Sequence, residues 1–140
     1  WSYGGYAALV AASRTPQIYQ CTIAGAAVAD YVRQANEYPN PRGTGQIFTE
    51  DYQYKVVNPI DEVARVNVPI FLIHGSVDQR VRPRQARMYL SALDKHDKEY
   101  KYLELDGADH FSNTLFYNHK IALYEGIIDY LKNDCGPGGL

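Results

Sequence analysis

The chain has 140 residues, which is enough for one domain with a single buried core. Hydrophobic residues make up 46% of it and charged residues 21%, and the formal net charge is -2, as in an ordinary globular protein. This charge offers no basic surface to nucleic acid, and no apolar run approaches the roughly 18–20 residues that a membrane span needs. We therefore expect one soluble domain over residues 1–140 that binds neither nucleic acid nor a membrane, in the cytoplasm or the periplasm.

The first part of the chain predicts a helix, a strand and a long loop. Small apolar residues occupy every side of the stretch from Gly4 to Ser13, which is typical of a helix enclosed by other elements. The run from Cys21 to Ala26 is short, apolar and partly β-branched, so it predicts a buried strand. Prolines, glycines and aromatic residues then alternate from Glu37 to Val57, which indicates an irregular excursion between strands.

The second part alternates helices with strands. The predicted elements are a short helix from Asn58 and Pro59 through Ala64, a continuous apolar strand over Val68–Gly75, an amphipathic helix over Arg82–Leu93, a strand over Glu99–Leu105 and a final helix over Leu115–Lys132. Alternation of this kind predicts an α/β domain in which parallel strands carry helices on both faces.

Three polar residues fall where parallel sheets carry their active sites, just beyond the carboxyl ends of the strands. Asp78 follows the second predicted strand, His110 follows the third, and Ser2 stands immediately before the first helix. A serine becomes a nucleophile when an imidazole takes its proton and a carboxylate orients that imidazole. The chain order Ser, Asp, His is the order of α/β-hydrolases, and Gly4 supplies the small residue expected two positions after the serine.

Plainer explanations remain open for these residues. Ser2 could be a helix cap, and Asp78 could cap the loop that leads into the next helix. The other polar candidates are interpreted as structural or surface residues. These are His74 as a packed strand end, Asp106 and Asp109 as turn residues, and His96 and His119 as solvated surface residues. Cys21 and Cys135 lack the spacing of a metal or redox site, so no function is assigned to them. The histidine spacing also predicts no metal site.

Four stretches resemble the catalytic domain of the prolyl oligopeptidase family of serine peptidases: W-S-Y-G-G-Y-A-A-L, I-A-G-A-A-V-A-D-Y, P-I-F-L-I-H-G-S-V-D-Q-R-V and G-A-D-H-F. The first stretch is more similar to the dipeptidyl-peptidase-like and acylaminoacyl-peptidase-like branches than to prolyl oligopeptidase itself. The resemblance implies an α/β-hydrolase fold and a cofactor-free peptidase. In that peptidase Ser2 is the nucleophile, Asp78 the orienting acid and His110 the general base.

The resemblance also implies roles in substrate binding. The backbone N–H of Tyr3 would be one oxyanion donor, and Arg80 and Val81 would contact the substrate, although Arg80 could equally be a surface cation near Asp78. The aromatic residues that could shape a specificity pocket or simply pack are Tyr31, Tyr38, Phe48, Tyr52 and Tyr54.

The chain departs from the family pattern in what precedes Ser2. Relatives place a strand and a glycine before the nucleophile, take a second oxyanion donor from the first half of the domain and usually carry a β-propeller. The chain therefore resembles the carboxyl-terminal half of an α/β-hydrolase domain without its nucleophile strand, and we expect it to be inactive or nearly so without those parts. The alternatives are a carboxylesterase of the same fold and a catalytically silent fragment that forms homo-oligomers through an exposed sheet edge.

Overall fold

Three parallel strands organise the structure, a computed structural model that describes residues 1–37, 57–111 and 115–136. The strands are β1 (Thr22–Gly25), β2 (Ile70–Gly75) and β3 (Tyr100–Leu105), in the spatial order β1-β2-β3. Both neighbouring pairs are parallel. Every residue of β2 is buried, because it lies between two strands and is covered on both faces, which explains its unbroken apolar run.

Helices cover both faces of this sheet. The described helices are α1 (Tyr3–Ala12), α2 (Tyr31–Glu37), the 3₁₀ helix η1 (Pro59–Arg65), α3 (Arg84–Lys95) and α4 (Tyr117–Asn133). Leu72 of β2 faces the cluster formed by α1, η1 and α3, whereas its neighbour Phe71 faces the cluster formed with α4. Successive side chains of a strand point to opposite faces, so β2 joins the two cores. The predicted α/β architecture is confirmed.

The structure differs from the sequence predictions in several elements. The helix α2 was not predicted, and most of the excursion expected over residues 37–57 lies outside the described residues, as do Tyr38, Phe48, Tyr52 and Tyr54. The short helix after Asn58 is a 3₁₀ helix that Asn58 does not cap, because its Oδ1 accepts the backbone N–H of Tyr31 at 2.7 Å. The helix α1 is not enclosed on every side by the described residues, since Ala7 is exposed.

The prediction for the two cysteines was also wrong. Cys21 and Cys135, interpreted from their spacing as uninvolved, form a disulfide with their Cα atoms 5.0 Å apart. Cys21 directly precedes β1 and Cys135 follows α4, so the bond joins the outer strand to the last helix. The two residues are 114 positions apart, and only the packing of α4 on the sheet brings them together. None of the described helices is long and apolar enough to cross a membrane.

Candidate active site

Ser2 lies in the sharp turn that leads into α1. Its backbone angles, φ 56 and ψ -120, belong to a region that non-glycine residues rarely adopt, and such strain is concentrated at functional sites. Its N–H donates to the carbonyl of Gly25 at the end of β1 at 2.9 Å, and its carbonyl accepts the N–H of Tyr6 at 3.0 Å. The Ser2 hydroxyl makes no capping hydrogen bond, so the alternative of a simple helix cap is wrong.

Among the described residues, the close contact in this turn is made by Gly5 and not by Gly4, the small residue expected from the sequence. A Cβ atom on Gly4 would meet no described atom within 4 Å beyond its chain neighbours and the backbone of its own helix. A Cβ atom on Gly5 would lie 2.6 Å from the carbonyl oxygen of Gly25 and 2.9 Å from the Cβ of Ala27. Within the described residues it is therefore Gly5 that permits the close approach of α1 to β1, because Gly5 faces the strand and Gly4 faces away.

Asp78, His110 and Ser2 form one continuous line of hydrogen bonds. The Nδ1 atom of His110 lies 2.7 Å from Oδ2 of Asp78, and its Nε2 atom lies 2.8 Å from Oγ of Ser2. Asp78 is 1% exposed and His110 is 5% exposed. A carboxylate can only accept, so Nδ1 carries the proton of the neutral imidazole and Nε2 accepts the proton of the hydroxyl. The structure thus brings together the three residues that the sequence analysis selected.

The loop after β2 orients the carboxylate of Asp78. Its Oδ1 atom accepts the backbone N–H groups of Arg80 and Val81, each at 2.8 Å. Val81 is 3% exposed and Arg80 is exposed, and the Arg80 carbonyl accepts a hydrogen bond from Gln34 of α2 at 2.7 Å. The backbones of both residues therefore position the acid. Their substrate-binding roles stay predictions.

Tyr3 begins α1 next to the Ser2 hydroxyl. Its backbone N–H belongs to the first helical turn, where amides have no acceptor within the helix and the helix dipole favours negative charge. Tyr3 is 65% exposed, and its ring stacks on that of Tyr6 with the ring centroids 5.3 Å apart. Tyr6 in turn packs against Tyr31 with the same centroid separation. An aromatic wall therefore stands beside the nucleophile turn.

The role of Trp1 was not predicted from the sequence. Its Nε1–H donates to the backbone carbonyl of His110 at 2.7 Å. Its ring covers Gly25, where any Cβ atom would overlap the indole. Trp1 thus holds the backbone of His110, in a contact that spans 109 positions of sequence and has no local signal.

The loops that carry the acid and the histidine are joined directly. The hydroxyl of Ser76 donates to Oδ1 of Asp106 at 3.1 Å and accepts the N–H of Gly107 at 2.7 Å. A Cβ atom on Gly75 would lie 2.7 Å from the carbonyl of Asp109, so this glycine lets the two loops touch. Asp106 has the turn role predicted for it.

Gln85 is a second residue that the sequence analysis missed. It is completely buried on α3, where its Oε1 accepts the N–H groups of Ala29 and Asp30 at 3.1 and 2.7 Å. Its Nε2 donates to the carbonyl of Asp30 at 3.1 Å. These bonds tie the loop after β1 to α3. The sequence did offer a signal for the burial of Gln85, because it lies four residues before the buried Tyr89 and so on the apolar side of the helix.

The remaining histidines divide into buried and exposed residues. His74 is 1% exposed with Nε2 2.7 Å from the carbonyl oxygen of Val81, as expected of a packed strand end. Burial lowers the pKa of His74, which favours the neutral form of its ring. His96 is exposed, but His119 is not the solvated residue predicted, because it is partly buried with Nε2 2.7 Å from the Asp106 carbonyl. Among the described residues no cluster of His, Cys, Asp and Glu could hold a metal.

The fold and the site place this chain in the class of α/β-hydrolases, with Ser2, His110 and Asp78 at the carboxyl edge of a parallel sheet. Residues 1–137 match the sequence model of the prolyl oligopeptidase family. The chain belongs to that family of serine peptidases.

Three solved structures show the same fold. Pyrococcus horikoshii acylaminoacyl peptidase matches with a TM-score of 0.80 and 18% identity over 99% of this chain and 24% of its own. Porphyromonas gingivalis dipeptidyl peptidase 4 matches with a TM-score of 0.72 and 19% identity, over 96% of this chain and 19% of its own. A Mycobacterium tuberculosis puromycin-hydrolyzing peptidase matches with a TM-score of 0.67 and 23% identity, over 79% of this chain and 18% of its own. The chain therefore spans about a quarter of these proteins or less.

Proposed function

We propose that this chain carries the catalytic centre of a serine peptidase, with Ser2 as nucleophile, His110 as general base and Asp78 as orienting acid. The single observation that supports this most directly is the line of hydrogen bonds from Asp78 through His110 to Ser2, at 2.7 and 2.8 Å. Family membership supports the same reaction class. The strained backbone of Ser2 adds an independent reason to regard its hydroxyl as functional.

Acylation starts with a proton transfer. Nε2 of His110 takes the Ser2 proton as Oγ attacks the carbonyl carbon of the substrate, and the imidazolium is stabilised by the Asp78 carboxylate. The negative oxygen of the tetrahedral intermediate lies at the start of α1, where the N–H of Tyr3 donates to it. One such donor is worth about 10²–10³ in rate. His110 then protonates the leaving amine, and the carbonyl carbon remains bonded to Oγ as an acyl-enzyme.

Deacylation repeats these roles with water. His110 takes a proton from the attacking water and returns it to Oγ of Ser2 as the acid product leaves. No step in this sequence calls for a cofactor. We place the substrates among peptides and small acylated peptides, with the Tyr3, Tyr6 and Tyr31 wall, Arg80 and Val81 beside the bound chain.

The proposal also covers parts of the full-length protein that lie outside this chain. The chain spans about a quarter of the acylaminoacyl peptidases that it resembles, so a second oxyanion donor and a substrate-screening β-propeller are expected from other parts of the polypeptide. Without them we expect slow acylation and little turnover. The disulfide favours an oxidising compartment such as the periplasm over the cytoplasm, because thiols stay reduced in the cytoplasm.

Labelling with a fluorophosphonate probe tests the nucleophile. The 140-residue chain and a version extended upstream are each compared with Ser2→Ala and with Ser91→Ala, a control at an exposed serine of α3. We expect Ser2→Ala to abolish labelling and Ser91→Ala to leave it unchanged. Labelling should be faster in the extended chain. Labelling that survives Ser2→Ala, or no labelling of either chain, would contradict the proposal.

Substrate assays separate the two enzymatic alternatives. A peptide para-nitroanilide and a short acyl ester are given to the extended chain, and preference for the ester would favour a carboxylesterase. Robust peptide turnover by the 140 residues alone would contradict the expected inactivity.

A silent fragment that acts through assembly has one structural observation in its favour. An open groove of about 310 Å³ lies between α1 and the outer edge of β1, lined in part by Ala7, Ala11 and Ile23. An uncovered strand edge invites pairing with another chain. Light scattering of the purified chain decides this alternative, because a monodisperse monomer would argue against edge pairing.

A further inference from the structure

His74 occupies an unusual position for a residue that only packs. It ends the buried strand β2, four residues before Asp78, and its side chain is 2% exposed. Burying a polar ring costs free energy unless the ring is hydrogen-bonded. The bond that compensates is the one from Nε2 to the carbonyl of Val81, at 2.7 Å. A carbonyl only accepts, so Nε2 carries the proton.

Val81 connects His74 to the acid through its backbone. Its carbonyl accepts from His74, while its N–H donates to Oδ1 of Asp78 at 2.8 Å. One peptide residue is therefore held at both polar groups, and the loop from Gly75 to Val81 is closed by a bond from its base to its end. The other carboxylate oxygen of Asp78 is left to His110, at 2.7 Å.

The charge state of His74 also matters for the carboxylate. Its Nε2 lies 3.6 Å from Oδ2 of Asp78, too far for a hydrogen bond but close enough for a strong electrostatic effect. The charged or titratable groups that influence it are Asp78, His110 and Glu104, the last being its neighbour in register on β3. A protonated His74 would compete with His110 for the negative charge. Burial is the largest influence on the pKa of His74 and lowers it, which favours the neutral ring.

We propose that His74 is a positioning residue of the active site, which closes the loop from Gly75 to Val81 (the acid loop) through the Val81 carbonyl and so holds the Asp78 carboxylate in line with Nδ1 of His110. This inference rests on the proposed function and adds a fourth side chain to it. His74 touches no substrate. It acts through Val81 and Asp78.

Two substitutions separate positioning from packing. His74→Phe keeps an aromatic ring but removes the donor and leaves the Val81 carbonyl without a partner. His74→Gln keeps a side-chain N–H donor that can reach the same carbonyl. Leu93→Ala, in the core cluster under α3, is the control for loss of stability without a change in the acid loop.

The decisive measurement is the NMR resonance of the Nδ1 proton of His110, which a short hydrogen bond to a carboxylate shifts downfield. We expect the resonance in the wild-type chain, in His74→Gln and in Leu93→Ala, and its loss or a clear shift in His74→Phe. Fluorophosphonate labelling of the extended chain should fall by roughly tenfold or more in His74→Phe, less than the about 10⁴ that disruption of an acid–imidazole pair costs.

Each outcome decides the inference. An unchanged resonance in His74→Phe, or a resonance that Leu93→Ala or His74→Gln loses to the same extent, would overturn it. A wild-type chain without the resonance would contradict the hydrogen-bonded triad and this inference together. If the resonance behaves as expected but Ser2 resists labelling in both chains, the proposed function fails and the positioning of Asp78 by His74 stands.

Discussion

Asp78 accepts hydrogen bonds at both of its carboxylate oxygens. Two backbone N–H groups occupy Oδ1, and Nδ1 of His110 occupies Oδ2. The carboxylate therefore has one orientation, and this orientation selects the tautomer in which Nε2 of His110 faces Ser2 as an acceptor. At the scale of single residues, the chemistry of the site depends on this choice of tautomer.

Asp78→Asn is expected to reverse the tautomer. The amide Nδ2 would donate where Oδ2 accepted, so Nδ1 of His110 would become the acceptor and Nε2 would carry the proton. The imidazole could then no longer take the proton of Ser2, and the rate of fluorophosphonate labelling in the extended chain should fall by about 10⁴. Asp106→Asn is the matched control, since an amide oxygen can still accept from Ser76. A loss below tenfold for Asp78→Asn would show that Asp78 is not the orienting acid.

The contact between α1 and β1 belongs to the scale of elements. Gly5 has no side chain, and this absence lets the first turn of the helix approach the end of the strand. The same approach places the N–H of Ser2 2.9 Å from the Gly25 carbonyl and fixes the turn that carries the hydroxyl. The neighbouring glycine, Gly4, has open space around it within the described residues.

These two glycines make a matched pair for mutation. Gly5→Ala should lower the free energy of unfolding by about 1–3 kcal/mol, because its Cβ would overlap the Gly25 carbonyl. Gly4→Ala should be neutral or raise it by up to about 1 kcal/mol, because alanine favours the helix and none of the described residues obstructs the added Cβ. Urea unfolding of the two variants measures both values. Equal effects would show that the approach of α1 to β1 is not limited by Gly5.

The disulfide acts at the scale of the whole molecule. Cys21 and Cys135 are 114 positions apart, so their bond encloses most of the chain, including all three strands. A cross-link over such a length restricts the unfolded chain strongly. It also fixes the end of α4 next to the start of β1, on the face of the sheet whose core includes Phe71 and Tyr130.

Removal of the disulfide is expected to destabilise the fold. The double variant Cys21→Ser/Cys135→Ser should lose about 2–4 kcal/mol of unfolding free energy. A reductant should lower the unfolding midpoint of the wild-type chain and leave that of the double variant unchanged, which is the internal control. Thiol alkylation followed by mass spectrometry should find no free thiol before reduction and two after it. Two free thiols in the native chain would contradict the bond.

The sequence by itself determined the alternation of strands and helices and the placement of Ser2, Asp78 and His110 at one edge of the sheet. This was possible because hydrophobic periodicity is local, and because residues that follow parallel strands, as Asp78 and His110 do, must emerge at the same edge. Ser2 was assigned to that edge from its position immediately before the first helix. The structure places Ser2 and Asp78 on opposite sides of the His110 ring, as that reasoning required.

Only the tertiary structure decided the contacts that support those three residues. Trp1 on the His110 carbonyl, His74 on the Val81 carbonyl, Gly5 against Gly25 and the Cys21–Cys135 bond are examples. Most of them join positions that are distant in sequence, and all of them depend on strand register, loop conformation and helix packing. No local sequence pattern encodes these contacts, because each depends on how all the intervening elements pack on the sheet.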